Sequence, residues 1–183
     1  MNDSGQRFVV IGTSGAGKSR LASELARVLG LPHIELDALH WRPGWTPSPP
    51  ADFEAGVRRA TAGPRWVVDG NYSAVRHIVW PRATHIVWLD YGRATVMARV
   101  WRRTLWRALT REPLWSGNRE LLRRSFASRD SVLLWSWNTF DKNRAAYAAL
   151  QARGAYPAQW VRLTSPAQAR AWLRGLAAQS ACG

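Results

Sequence analysis

The segment Gly12-Thr13-Ser14-Gly15-Ala16-Gly17-Lys18-Ser19 carries the spacing G-x-x-x-x-G-K-[ST]. Glycines let a backbone turn its N–H groups inward around phosphate oxygens. A helix starting at Lys18 would present its positive N-terminus to the same oxygens. Lys18 is then placed to reach the β- and γ-phosphates of a nucleoside triphosphate, and the Ser19 hydroxyl to ligate Mg²⁺. All eight residues are candidates for binding Mg·ATP, with Lys18 also a catalytic candidate. The other reading is a chance glycine-rich turn. Against it, one of only two lysines in the chain falls at the required position.

Carboxylates come next. Asp69 closes an apolar run in Trp66-Val67-Val68-Asp69-Gly70-Asn71-Tyr72. There it can hold Mg²⁺ beside Ser19, or cap the turn before Gly70. Glu35 and Asp37 lie in Ile34-Glu35-Leu36-Asp37-Ala38-Leu39-His40-Trp41. If both end a strand, alternation puts them on one face. Asp37 could take a proton from a substrate hydroxyl, bind substrate or assist Mg²⁺; the competing role is capping a helix before Ala38. Asp90 reads as a helix cap. The four histidines do not cluster at metal-ligand spacing.

Arginines are concentrated between Arg93 and Arg129, with Glu112 and Glu120 the only acids among them. Arg99, Arg103 and Arg107 are spaced to share one helical face, with Arg102 beside them. Arg111, Arg119, Arg123 and Arg124 follow. Three readings stand open: a lid bringing guanidinium groups onto a transferring phosphoryl, a nucleic-acid backbone site, or a solvated face. On the lid reading, Arg99, Arg103 and Arg119 are the catalytic candidates. Of the 12 tryptophans, Trp66, Trp80, Trp88, Trp160 and Trp172 fall in core patterns. Trp41, Trp45, Trp115, Trp135 and Trp137 border loops or the arginine segment.

Strands and helices alternate around these residues. Strands are expected at Arg7–Ile11, His33–Leu36, Arg65–Val68, His85–Leu89 and Gln159–Leu163. Helices are expected at Lys18–Leu29, Asp52–Ala62, Ala94–Leu109, Arg119–Ala127, Ser131–Arg153 and Pro166–Ala178, the last capped by Ser165. Pro43–Pro50 reads as a loop, and Thr110–Asn118 as an interrupted stretch. The pattern predicts an α/β protein with a five-stranded parallel sheet covered on both faces, its ligands lying beyond the carboxyl ends of the strands.

With 183 residues the chain suits one domain, 1–183. The net charge of +14 favours a polyanionic partner. No apolar run reaches a membrane-spanning length, and no signal peptide is apparent. The lone Cys182 excludes an intrachain disulfide and a cysteine metal site, so a cytoplasmic location is the simplest expectation.

The phosphate loop, Asp69-Gly70 and the arginine segment together resemble the adenylate kinase-like branch of the P-loop kinases. Further motifs narrow the likeness: Glu35-Leu36-Asp37-Ala38-Leu39-His40-Trp41, Pro43-Gly44-Trp45, Trp66-Val67-Val68-Asp69-Gly70-Asn71-Tyr72, Trp88-Leu89-Asp90-Tyr91, Gly117-Asn118-Arg119-Glu120 and Ser128-Arg129-Asp130-Ser131. They look like bacterial topology-modulation (FlaR-like) proteins. The resemblance covers about Phe8 to Leu150. It implies a P-loop NTPase three-layer sandwich, a substrate-binding insertion at about 38–64 and an arginine-rich helical lid at about 107–128. It implies a substrate site drawn from Asp37, His40, Trp41, Asn71, Tyr72 and Arg76. Adenylate kinases have Asp-Gly-Phe-Pro-Arg where this chain has Asp69-Gly70-Asn71-Tyr72, and Arg76 is the nearest substitute for the missing arginine. Glu35-Leu36-Asp37 is more like the acidic strand end of small-molecule kinases such as shikimate kinase. The leading expectation is transfer of the γ-phosphoryl group of Mg·ATP to a nucleotide or small hydroxyl-bearing metabolite. The rivals are an ATP-dependent nucleic-acid-associated protein and an NTP-binding protein with slow hydrolysis. Arginines converging on the phosphate loop would favour the kinase; an outward stripe would favour nucleic acid.

Overall fold

The computed structural model describes residues 5–110 and 132–181. The main sheet has five strands: β1 (Arg7–Gly12), β2 (His33–Glu35), β5 (Trp66–Asp69), β6 (His85–Leu89) and β7 (Gln159–Leu163). They run in the order β2-β5-β1-β6-β7, and every pairing is parallel. The helices are α1 (Lys18–Leu29), α2 (Leu36–His40), α3 (Pro50–Ala60), α4 (Arg76–Val79), α5 (Arg93–Thr110), α6 (Val132–Ala152) and α7 (Pro166–Ala181).

The period of two along each strand divides the interior into two layers. Phe8 and Val10 of β1, Val67 of β5 and Val87 and Leu89 of β6 face Leu21 and Leu25 of α1, Val96 and Val100 of α5 and Leu173 of α7. The intervening residues Val9, Ile11, Trp66, Val68, Ile86 and Trp88 face Phe53 and Val57 of α3 and Ile78 and Val79 of α4. The three central strands are therefore apolar on both faces, as a covered parallel sheet requires. Trp66 has no exposed surface. Its truncation to alanine would cost about 3–5 kcal/mol. Trp80 and Trp88 are also buried, whereas Trp160 and Trp172 pack at the margins.

Several local expectations need correction. The second strand ends at Glu35, and Asp37 sits in the first turn of α2, so the two carboxylates do not share a strand face. The Pro43–Pro50 segment is not all loop. Trp41–Arg42 (β3) and Thr46–Pro47 (β4) pair antiparallel across the turn Pro43–Trp45, where Gly44 and Trp45 adopt positive φ. Asp90 is no helix cap: its buried carboxylate accepts from Arg144 of α6 at 2.8 Å and from Arg162 of β7 at 2.9 Å. Sequence spacing gives no sign of that pairing, because its partners lie 54 and 72 residues away. Ser165 does cap α7, accepting from the Gln168 N–H at 3.2 Å, while the Gln168 side chain accepts from the Thr164 N–H.

Arg111, Arg119, Arg123, Arg124, Arg129, Trp115, Cys182 and the expected Arg119–Ala127 helix lie outside the described residues, as do the side chains of Arg107 and Trp135. Of the expected lid at about 107–128, only the helical backbone of 107–110 is described.

Candidate active site

The loop Gly12–Ser19 leaves the carboxyl end of the central strand and enters α1 at Lys18. Its turn depends on Gly15, which sits at φ +83°. A Cβ there would lie 2.1 Å from Cγ2 of Val100 and 3.2 Å from the Val96 carbonyl oxygen. The glycine thus serves the backbone conformation and lets α5 press onto the loop.

Loop carbonyls are turned onto protein donors. The Thr13 carbonyl accepts from the Ala16 N–H at 3.1 Å and from Lys18 Nζ at 3.2 Å. The Ala16 carbonyl accepts from Arg99 Nη1 at 2.8 Å, and the Arg99 guanidinium lies over the Tyr91 ring. A loop whose carbonyls are engaged in this way can present its N–H groups to an anion. Lys18 keeps some solvent contact as a residue, yet burial of its ammonium lowers its pKa from 10.5 to about 8. Asp69 and Asp37 pull upward, and Arg103 adds to the lowering. An arriving phosphate would relieve both unfavourable effects on the charged form.

Two carboxylates stand across from this lysine. Asp69 ends β5, in register with Glu35, and is buried. One of its oxygens lies 3.3 Å from His33 Nε2, a contact that raises the His33 pKa. Gly70, at φ +131°, admits the next element: a Cβ on it would meet Leu36 Cβ at 2.9 Å. That close approach seats the start of α2, and hence Asp37, against the Asp69 turn. Asp37 accepts a hydrogen bond from the Tyr72 hydroxyl. Burial first, then the Asp37 charge, pushes the tyrosine far above its ordinary pKa. The adjacent Asn71 donates through Nδ2 to the Gly12 carbonyl, tying this segment to the phosphate loop. His40 packs against Trp41, Phe53 and Tyr72 at ring-centroid separations of 4.7, 5.0 and 4.7 Å.

On the other side of the loop a cavity of about 450 Å³ opens between α1, α5 and α7. Gly15, Gly17, Tyr91, Trp106 and Pro166 line it, together with Arg20, Arg99, Arg102, Arg103 and Arg170, and among the described residues Glu24 is its only acid. Its size suits a small organic ligand.

The structure therefore brings together Lys18, Asp37, Asp69, Asn71, Tyr72, Arg99 and Arg103 at one sheet end. His40 and Trp41 flank that group. Arg76 takes another position, 4.8 Å over the Trp80 ring, with its charge reaching Tyr147. Ser19 is the second residue of α1, as the motif requires. The His33–Asp69 and Asp37–Tyr72 pairings and the arginine-rimmed cavity were not foreseen from sequence. The motif containing Tyr72 was the only available signal, and it does not say which residue Tyr72 meets.

The whole arrangement matches known folds. A gluconokinase from Sinorhizobium meliloti 1021 superposes with a TM-score of 0.52 and 21% identity, over 96% of this chain and 95% of that one. A shikimate kinase from Bacteroides thetaiotaomicron gives 0.50 and 17%, over 95% and 97%. The fold is that of the P-loop kinases. No family profile and no curated protein matches the sequence. Among the described residues no helix is long and apolar enough to cross a membrane.

Mg²⁺ suits the residues present. Among the described residues no three His, Cys, Asp or Glu side chains gather as a metal cage. Mg²⁺ in phosphoryl-transfer sites needs none, taking one or two protein oxygens and the rest from phosphate and water. The Ser19 hydroxyl at the helix start and the buried Asp69 carboxylate are donors of the type such a site would use.

Proposed function

We propose that this protein is an ATP-dependent kinase that transfers the γ-phosphoryl group of Mg·ATP to a hydroxyl group of a small acceptor. The observation that carries the reading is convergence. Arg99 bonds the phosphate loop, and Arg103 lies close enough to shift Lys18, while Asp37 and Asp69 act on the same lysine from the other side. Cations at the donor phosphates and a carboxylate at the acceptor hydroxyl are the two halves of an in-line phosphoryl transfer. The same convergence speaks against an outward arginine stripe, and no observation on the described residues favours a nucleic-acid backbone.

In this reading the loop amides and Lys18 hold the β- and γ-phosphates. Arg103 faces the developing charge. Arg99 positions the loop through Ala16. The nucleoside end of ATP lies in the cavity between α1, α5 and α7. Mg²⁺, held by Ser19 and Asp69, would neutralise charge shared by the β- and γ-oxygens. The acceptor oxygen forms a bond to the γ-phosphorus as the bond to the β-bridging oxygen breaks. ADP leaves with that electron pair, and the hydroxyl proton passes to Asp37. Residues 38–64 act as the acceptor insertion and 107–128, with Arg119, as the lid. The finer likeness to adenylate kinase-like and topology-modulation proteins rests on sequence motifs, and a cytoplasmic setting rests on the lone Cys182 and the lack of a membrane-length apolar run.

The test is a phosphoryl-transfer screen with Mg·ATP, reading ADP release with and without candidate acceptors. Acceptor-dependent ADP release that disappears in Lys18→Ala is expected. Failure to bind Mg·ATP at all would sink the proposal.

A further inference from the structure

The phosphate loop is reached from the core by a short chain of side-chain contacts. Tyr91 lies just beyond β6 and is buried in one cluster with Leu21, Val96 and Val100. Its neighbour Asp90 anchors the backbone at that point. The Asp90 N–H donates to the Leu163 carbonyl at 2.9 Å, and the Asp90 carboxylate accepts from Arg144 and Arg162. Held in this way, the Tyr91 ring carries the Arg99 guanidinium 5.1 Å from its centroid. Burial raises the Tyr91 pKa above its ordinary value, so the phenol is neutral at pH 7, and its oxygen accepts a hydrogen bond from Arg99. Nη1 of the same guanidinium donates to the Ala16 carbonyl at 2.8 Å.

These contacts fix the direction of one peptide. A trans peptide points its C=O and the following N–H in opposite directions. With the Ala16 carbonyl turned onto Arg99, the Gly17 N–H is turned away from it. On the kinase reading that amide belongs to the set that holds the phosphates. Gly17 sits at φ +93° and has no side chain of its own to restrain it. A Cβ there would lie 3.0 Å from Arg99 Nη1, so the guanidinium stands directly against this turn. An arginine has many rotamers, and the Tyr91 ring selects the one that reaches Ala16.

Tyr91 and Arg99 also line the cavity beside the loop, so a ligand entering there meets the pair already assembled. We infer that Tyr91 is a positioning residue of the donor site, acting through Arg99 on the Ala16–Gly17 peptide and so on the grip of the loop on a triphosphate. The inference deepens the kinase reading and rests on it for the identity of the ligand.

The experiment measures binding to the full chain of Mg·ATP and of Mg·tripolyphosphate, which has the phosphates and no nucleoside, by calorimetry. Tyr91→Leu should weaken both by about tenfold, the scale of one desolvated cation–π contact. Tyr91→Phe keeps the ring and should cost about threefold. Arg99→Met removes the intermediary. In that background Tyr91→Leu should change either affinity by less than about twofold, because the partner through which it acts is gone. A merely structural role for the tyrosine would show the whole loss again. Full additivity of the two substitutions would therefore overturn the inference. So would a Tyr91→Leu loss seen with ATP and not with tripolyphosphate, which would mean that the ring touches the nucleoside. Unchanged affinity in Tyr91→Leu would overturn it too. If circular dichroism shows Tyr91→Leu unfolded, the same cycle with Tyr91→Phe decides, since its loss should vanish beside Arg99→Met. An unsubstituted protein that binds neither ligand would sink the kinase reading instead.

Discussion

The two sides of the phosphate loop are built from different materials. Toward α5 and α7, among the described residues, lie glycines and five arginines, with Glu24 the lone acid lining the cavity. Toward α2 and the β3–β4 hairpin lie Asp37, Asn71 and a run of aromatic rings in contact with one another. On the kinase reading, the first side would hold a nucleoside triphosphate through backbone amides and charge, and the second would hold the acceptor through side-chain pairings particular to this chain.

The comparison breaks most sharply at Lys18, which both sides touch. Lys18→Ala should lower phosphoryl transfer by about a thousandfold, because one preorganised charge at the transferring group is lost. Circular dichroism and Tm should stay near the parent values, since removing a desolvated cation does not weaken the core. A variant with parent-like turnover would remove the loop from the mechanism. Asp37→Asn is the counterpart on the acceptor side. We expect kcat to fall about a hundredfold with the KM for ATP unchanged, the mark of a lost general base. Equal loss of ATP binding in both variants would erase the distinction between the sides.

Gly15→Ala probes the donor side through packing. Its new Cβ would sit 2.1 Å from Val100 Cγ2 at a backbone φ of +83°. We expect a stability loss of about 1–3 kcal/mol in urea unfolding, together with weakened ATP binding. Unchanged stability would mean that α5 does not bear on the loop. Tyr72→Phe is the smaller perturbation on the other side. It removes one hydrogen bond to Asp37, so acceptor kcat/KM should fall roughly five- to tenfold. An effect on the ATP KM instead would place Tyr72 with the donor.

The same asymmetry decides what the sequence disclosed. Gly12–Ser19 is legible because all its chemistry is local: eight consecutive residues carry the turn, the charge and the helix start. The central strands are legible because burial on both faces leaves continuous apolar runs such as Phe8–Ile11. Asp37 was placed on a strand because two acids at alternate positions fit that period equally well. The strand ends at Glu35, and the next residue, Leu36, packs closely on Gly70, 34 residues away, a contact that no local pattern carries. Asp90 failed for the same reason: a short polar residue before a helix looks like a cap until Arg144 and Arg162 arrive from distant elements. Arg99 and Arg103 were picked by helical spacing, which gave their shared face, but only the α5 packing shows that one of them holds the loop itself.

The finest test of the comparison is protonic. Lys18 in the free protein titrates near pH 8 instead of 10.5, chiefly because its ammonium is desolvated. Between those values the unfolded chain holds a proton that the folded chain has released. Stability should therefore rise with pH from about 8 to 10.5 and carry a penalty below that window. Binding reverses the shift, since a triphosphate supplies the negative charge that the ammonium lacks. ATP binding at pH 8 should then take up about half a proton, the fraction missing from a group at its own pKa. Calorimetry in buffers of different ionisation enthalpy measures that uptake directly. It should vanish in Lys18→Arg, whose guanidinium stays charged throughout. Acceptor binding without ATP should produce no such uptake, because on the kinase reading it is the triphosphate that brings charge to the lysine. Uptake that tracks acceptor binding and not ATP would join the two sides and undo the division argued for them.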